Sequence, residues 1–304
     1  LRRLIGESLR TISQCHGKVE DVSALVEVSA KAMRDTTARL VKGEWVRYDA
    51  MALETYQSVE ESLRNGNEIV GVPTGIPALD FQTCGWQDGD LIFLAARPRI
   101  GKTAFAQQIA EHAARQGFPV AFFSLEMTRK QLGFRAMQRE TGIDSYALRK
   151  PRFGAEGWDR MAEALVTLSL PMYVNDIGGL RYQDVIGMSR QIVREHGIKL
   201  LILDFLGLTR GPQGESRNRE LGLIAEEFKT LAKELAIPFI CLSQLSRKCE
   251  QEKRQPILSD LRDSGDIEAA ADVVLFLYRP PAVEEIGRDS IIPTDLIIAK
   301  NRAF

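Results

Sequence analysis

The sequence lacks a membrane span, a secretory signal, paired cysteines and an overall charge. No apolar run approaches the roughly 18 residues of a membrane-crossing helix, and no signal peptide opens the chain. The four cysteines (Cys15, Cys84, Cys241, Cys249) form no C-x-x-C pair and read as reduced thiols of a cytoplasmic protein. The three histidines (His16, His112, His196) are scattered and carry no metal-site signal. Net charge is −1, so no global basic field advertises nucleic acid, and any such binding must come from local loops. No repeat or low-complexity tract stands out. The chain starts without Met, inside Leu1-Arg2-Arg3-Leu4-Ile5, which reads as mid-helix and as a fragment.

What is present supports a sizeable packed core, since 44% of the 304 residues are hydrophobic and 27% charged. Residues 1–65 carry helical spacing and no strand signal. Val22, Leu25, Val26, Met33 and Leu40 form an apolar stripe that cannot be buried by a lone helix, so it docks on its own domain or on a neighbouring subunit. Gly66, Gly71, Pro73, Gly75, Pro77, Gly85 and Gly89 then mark a boundary. From Asp90 onward, strands alternate with helices. The candidate strands are 91–95, 120–124, 172–174, 200–203, 239–242, 273–278 and 296–299, several of them continuous apolar runs. Helices are expected over 219–235, with Leu221, Ile224, Phe228 and Leu231 on one face, and from the capping-box spacing Thr128 to Gln131 as far as Gly142. This order predicts an α/β fold, a mainly parallel sheet covered on both faces, after a helical segment.

Ala96-Arg97-Pro98-Arg99-Ile100-Gly101-Lys102-Thr103 follows one of these strands and opens a helix. A strand, a tight loop ending Gly-Lys-Thr and a helix make a phosphate cradle, in which backbone N–H groups and the helix dipole face the anion. Arg97, Pro98, Arg99, Ile100 and Gly101 form its wall. Lys102 would reach the β- and γ-phosphates of ATP and Thr103 would hold Mg²⁺. Ala96 occupies a position where the pattern G-x-x-x-x-G-K-S/T has glycine, and Ala resists positive φ. The plainer alternative is a turn that happens to precede Lys and Thr.

Ligands of a parallel sheet sit beyond the carboxyl ends of its strands. Leu200-Leu201-Ile202-Leu203-Asp204 delivers a carboxylate there for the metal, and Phe122-Phe123-Ser124-Leu125-Glu126 delivers one to activate water. A turn-capping Asp and a solvated Glu are the alternatives. Gln244, ending Phe239-Ile240-Cys241-Leu242-Ser243, can hydrogen-bond the γ-phosphate or the water, a weak signal alone.

Together with Gly71-Val72-Pro73-Thr74-Gly75, Ser243-Gln244-Leu245-Ser246-Arg247, Ser259-Asp260-Leu261-Arg262-Asp263-Ser264-Gly265 and Lys300-Asn301-Arg302, these segments resemble the ATPase domain of DnaB-type replicative DNA helicases, a RecA-like P-loop group. Ala at the first loop position is usual in that family. The resemblance implies a homo-hexameric ring with ATP and Mg²⁺ at each subunit junction. Lys300 and Arg302 match the fingers that reach a neighbour's phosphates. Arg262, Asp263 and Gly265 match the pore loop that grips single-stranded DNA by its backbone. It implies five-prime to three-prime unwinding during replication, with a primase and a helicase loader as partners and no membrane.

By the same resemblance, residues 1–18 are the tail of an N-terminal helical domain, 19–65 a linker helix and connector, and 66–304 the ATPase domain, stopping before the family's last strands. The linker then docks on the adjacent subunit rather than on its own domain. Arg99, Gly207 and Ala269-Ala270 depart from the family pattern and mark a divergent member. A filament-forming recombinase or repair ATPase and a nucleotide-gated scaffold without turnover are the rival readings. The linker and the Lys300/Arg302 pair speak against the first, and Glu126, Asp204 and Gln244 against the second.

Overall fold

The computed structural model describes residues 45–64, 69–150, 153–211, 216–252, 254–261, 264–280 and 292–302. The chain divides into two compact units, residues 1–61 and 62–304. Helix α1 spans Tyr48–Arg64, and the apolar stripe from Val22 to Leu40 lies outside the described residues.

A seven-stranded sheet forms the centre of the second unit. Its strands are β1 (Leu91–Ala96), β2 (Val120–Ser124), β3 (Met172–Asn175), β4 (Leu200–Asp204), β5 (Phe239–Gln244), β6 (Val273–Tyr278) and β7 (Asp295–Asn301), in the order β3-β2-β4-β5-β1-β6-β7. Side chains alternate across a strand, so each apolar run divides between two layers. Leu91, Phe93 and Ala95 enter one core and Ile92, Leu94 and Ala96 the other. Both faces are therefore covered, as continuous aliphatic strands require.

Helices α2 (Pro77–Thr83), α3 (Lys102–Arg115), α4 (Arg129–Thr141), α5 (Ser145–Arg149) and α6 (Ala155–Thr167) precede β3. Helices α7 (Tyr182–His196) and α8 (Arg217–Leu235) follow, with the short α9 (Lys248–Gln251) and α10 (Ser264–Ala270) near the end. Ile224, Phe228 and Leu231 of α8 pack into the core containing Leu91 and Phe93. Ala106, Ile109 and Ala113 of α3 pack into the opposite one. The capping box of α4 forms as its sequence predicts: Gln131 N–H donates to Thr128 Oγ1 at 3.3 Å and Thr128 N–H donates to Gln131 Oε1 at 2.9 Å. Gly142 ends that helix at φ 66°, a conformation glycine adopts without strain.

The strands β1 to β6 run parallel, and β7 is antiparallel to β6. That reversal carries Lys300 and Arg302 towards the amino ends of the parallel strands. Lys300 pairs with Val274, and the Arg302 N–H donates to Asp272 O at 3.0 Å. The phosphate loop leaves β1 at Ala96, level with Leu277.

Candidate nucleotide site

Register brings the strand ends of the predicted constellation level. Ala96 pairs with Gln244, and Ser124 pairs with Asp204. The loops that follow β1 and β2 therefore open over one edge of the sheet, beside the acid that ends β4. A pocket of about 370 Å³ lies there, lined by Arg97, Pro98, Arg99, Gly101, Lys102, Thr103, Glu126, Arg135 and Gln244 among others.

The loop solves its backbone problem differently from the sequence expectation. Ala96 stays in the strand, so the absent glycine at that position costs nothing. The left-handed conformations fall on Arg99 (φ 69°) and Gly101 (φ 111°). Gly101 caps α3, and a Cβ placed there would meet open space, so its glycine is needed for the backbone angle alone. Arg99 is a residue type that rarely adopts positive φ, which marks it as a strained point in the cradle. Ile100 packs against the apolar core.

At the base of the pocket, the Thr103 hydroxyl donates to Asp204 Oδ2 at 2.6 Å. Asp204 is completely buried, and its other oxygen, Oδ1, has no hydrogen-bond partner. Burial pushes this carboxyl above its ordinary pKa, against the opposing pull of the Thr103 hydroxyl and the Lys102 charge. A hydroxyl and an orphaned carboxylate oxygen side by side are hard oxygen donors, a fit for Mg²⁺. Lys102 Nζ donates to Ser243 O at 3.3 Å and lies 4.5 Å from the centre of the Phe205 ring. Burial lowers the Lys102 pKa, and the nearby Asp204 and Glu126 charges resist that shift. Glu126 is exposed at the pocket wall, and Gln244 is half-buried at the end of β5.

Two members of the predicted set lie elsewhere within one copy. Arg302 sits level with Asp272, five residues down β6 from Leu277, roughly 16 Å at about 3.3 Å per residue. Lys300 Nζ donates to Glu268 O at 2.6 Å and Ala271 O at 2.7 Å, and Arg302 donates to Ala269 O and Asp272 Oδ1. Of the predicted DNA loop, Gly265 is exposed in the first turn of α10. Arg262 and Asp263 lie outside the described residues.

Arg135 was missed by the sequence reasoning. It lines the pocket from α4, and its charge acts on Asp204. The signal was present, because the Thr128 cap of α4 comes two residues after Glu126 and Arg135 lies seven residues past that cap, on the same helical face.

The sequence model of the DnaB-like helicase C-terminal domain matches residues 71–303. The chain belongs to the DnaB-like helicase family. It is 35% identical over 307 residues to the replicative DNA helicase DnaB of Geobacillus stearothermophilus, covering 99% of this chain and 67% of that protein. It is 40% identical over 240 residues to DnaB of Rickettsia conorii, covering 74% of this chain and 49% of that one. Among solved structures, it resembles an ATPase domain with a TM-score of 0.78 at 30% identity, over 85% of this chain and 92% of that one. It also resembles a DnaB-like replicative helicase, studied with its interactions with primase, with a TM-score of 0.77 at 28% identity, over 99% of this chain and 70% of that one. The DnaB-like chain is thus a replicative DNA helicase with a nucleotide-binding ATPase domain, and it hydrolyses ATP. Among the described residues, no helix is long and apolar enough to cross a membrane.

Proposed function

We propose that this helicase works as a homo-hexameric ring in the cytoplasm, moving five-prime to three-prime on single-stranded DNA and separating the duplex ahead. The observation that carries the reading is the Thr103–Asp204 pair with its orphaned oxygen, set beside Lys102 and Glu126 at the carboxyl edge of the sheet. The substrate is ATP, whose terminal phosphoryl group passes to water; a bound Mg²⁺ would supply positive charge to offset that of the phosphates. Thr103 and Asp204 would hold the metal. Lys102 and the loop from Arg97 to Gly101 hold the phosphates, Glu126 takes the proton of the attacking water, and Gln244 senses the γ-phosphate.

Lys300 and Arg302 act on the nucleotide of the adjacent subunit. Their distance from the pocket of their own copy supports that assignment. Arg262, Asp263 and Gly265 hold the DNA backbone in the pore. Residues 1–18 are the tail of an N-terminal helical domain, 19–65 the linker that docks on the neighbour, and 66–304 the ATPase domain. The primase interaction studied for the DnaB-like structural relative supports primase as a partner, with a helicase loader as another.

Forked duplexes with a single five-prime or three-prime tail test the polarity, and particle mass with an ATP analogue and DNA tests the ring. Arg302→Ala should bind nucleotide normally and hydrolyse it poorly. Mixing it with Lys102→Ala subunits should restore part of the turnover, since one kind of junction regains a whole cradle and a whole finger. Verified mixed rings without recovery would remove the cross-subunit assignment.

A further inference from the structure

Arg97 lines several adjoining cavities, two of which matter here. One is the phosphate pocket, and the other is a cleft of about 220 Å³ whose lining includes Leu245, Cys249, Glu250 and Arg254. The guanidinium makes its bonds on the side of the cleft. Nε and Nη2 donate to one Glu250 oxygen at 2.9 and 2.6 Å, and Nη1 donates to Leu245 O at 2.9 Å. The backbone adds a bond from Leu245 N–H to Ala96 O at 3.1 Å. The first residue of the phosphate loop is thereby fastened to the segment that leaves β5.

That segment is closed on itself at its far end. Leu245 bridges Leu261 in antiparallel fashion, and Ser246 N–H donates to Asp260 O at 2.8 Å. The buried Asp260 carboxylate receives both terminal nitrogens of Arg254, and also Ile257 N–H at 2.9 Å. The described residues of 245–261 are thus tied into one body, and the chain next enters Arg262 and Asp263. The inference therefore rests on the reading of those residues as part of the DNA loop.

The Arg97 side chain is 22% exposed and that of Glu250 is 64% exposed. A pair whose carboxylate partner is so open to solvent adds little to stability. It is too weak to anchor the fold and well suited to exchange. Nucleotide phosphates offer the same guanidinium a bidentate, more highly charged acceptor.

We infer that the Arg97–Glu250 pair is a latch coupling the nucleotide pocket to the DNA loop. With the pocket empty, Glu250 holds Arg97 and the 245–261 body together. Phosphates in the pocket compete for Arg97 and free that body. By linkage, a DNA strand that displaces the body releases Arg97 to the phosphates. Glu250 touches neither ligand and is a positioning residue.

Glu250→Gln removes the charge and keeps the shape, and Glu250→Asp keeps the charge. For the full chain, single-stranded DNA affinity is measured by fluorescence anisotropy without nucleotide and with a non-hydrolysable ATP analogue, and analogue affinity with and without DNA. The ratio between nucleotide states should contract about fivefold or more in Glu250→Gln, by the same factor in both directions of the linkage. Basal turnover without DNA should be unchanged, and Glu250→Asp should recover part of the ratio. A full wild-type ratio in Glu250→Gln, or loss of basal turnover in it, overturns the latch alone. Wild-type protein that binds no single-stranded DNA overturns the DNA-loop reading, and the latch with it.

Discussion

The two ends of the parallel sheet hold similar charges in opposite conditions. At the amino end, Asp272 accepts Leu91 N–H at 2.8 Å and Lys229 Nζ at 2.5 Å, and Arg302 lies 3.4 Å away. Lys300 and Arg302 donate to the carbonyls around the end of α10 as well, a favourable place for cations. At the carboxyl end, Asp204 is buried with one oxygen unpartnered, and burial drives both Asp204 and Lys102 towards their neutral forms. The first network is complete without a ligand. The second carries a desolvation cost that a bound metal and phosphates would offset, which is how functional sites trade stability for chemistry.

The largest effect that would sharpen this contrast is on turnover. Lys102→Ala should abolish hydrolysis and weaken nucleotide binding, whereas Glu126→Gln should keep binding and lower turnover by about 10²–10⁴-fold. Neither should reduce the thermal stability of the nucleotide-free protein. Steady-state hydrolysis, calorimetric nucleotide titration and melting curves read all three quantities. Wild-type turnover in Glu126→Gln would show that the base is another residue.

At the amino end the order should reverse. Asp272→Asn weakens the bonds to Leu91 and Lys229 and takes the closest counter-charge from a largely covered ammonium, a loss of about 2 kcal/mol. Denaturant unfolding measures it, and a variant as stable as wild type would show that the network is dispensable.

The smallest effect concerns Asp90, whose pKa is pushed up to about 6 by burial first and then by the neighbouring Asp272 carboxylate. Its ordinary value is 3.8, so between those two pH values the folded state binds more protons than the unfolded one. Stability from this group is present below that window and is lost as pH rises through it. Asp90→Asn should therefore gain on wild type as pH rises from 4 to 7, by about 1 kcal/mol after allowing for its partial exposure. Urea unfolding at both pH values checks the sign, and a constant difference would refute it.

Much of the fold was legible because the strands are unbroken apolar runs. All seven fall where the sequence places them, with ends extended by one or two residues at most. Glu126, Asp204 and Gln244 were legible as neighbours because each follows or ends a strand, and parallel pairing brings such ends together. The direction of β7 was not legible, since an apolar run reads the same both ways. Nor was the Arg97–Glu250 contact, made by residues 153 positions apart that share no periodic pattern. The strain at Arg99 was equally hidden, because the motif draws attention to its glycine positions and says nothing of the residues between.

Arg99 also bears on how nucleotide arrives. With Lys102 and Arg135 it gives the pocket three cationic side chains besides the Glu250-paired Arg97, against Glu126 at the wall and Asp204 at the base, in a chain whose net charge is −1. The attraction is therefore local. A concave, positive patch on a nearly neutral body draws in a polyanion over about 8 Å at physiological ionic strength. Salt should slow the encounter more than it hastens departure, making capture, rather than residence, the step most sensitive to the ionic surroundings.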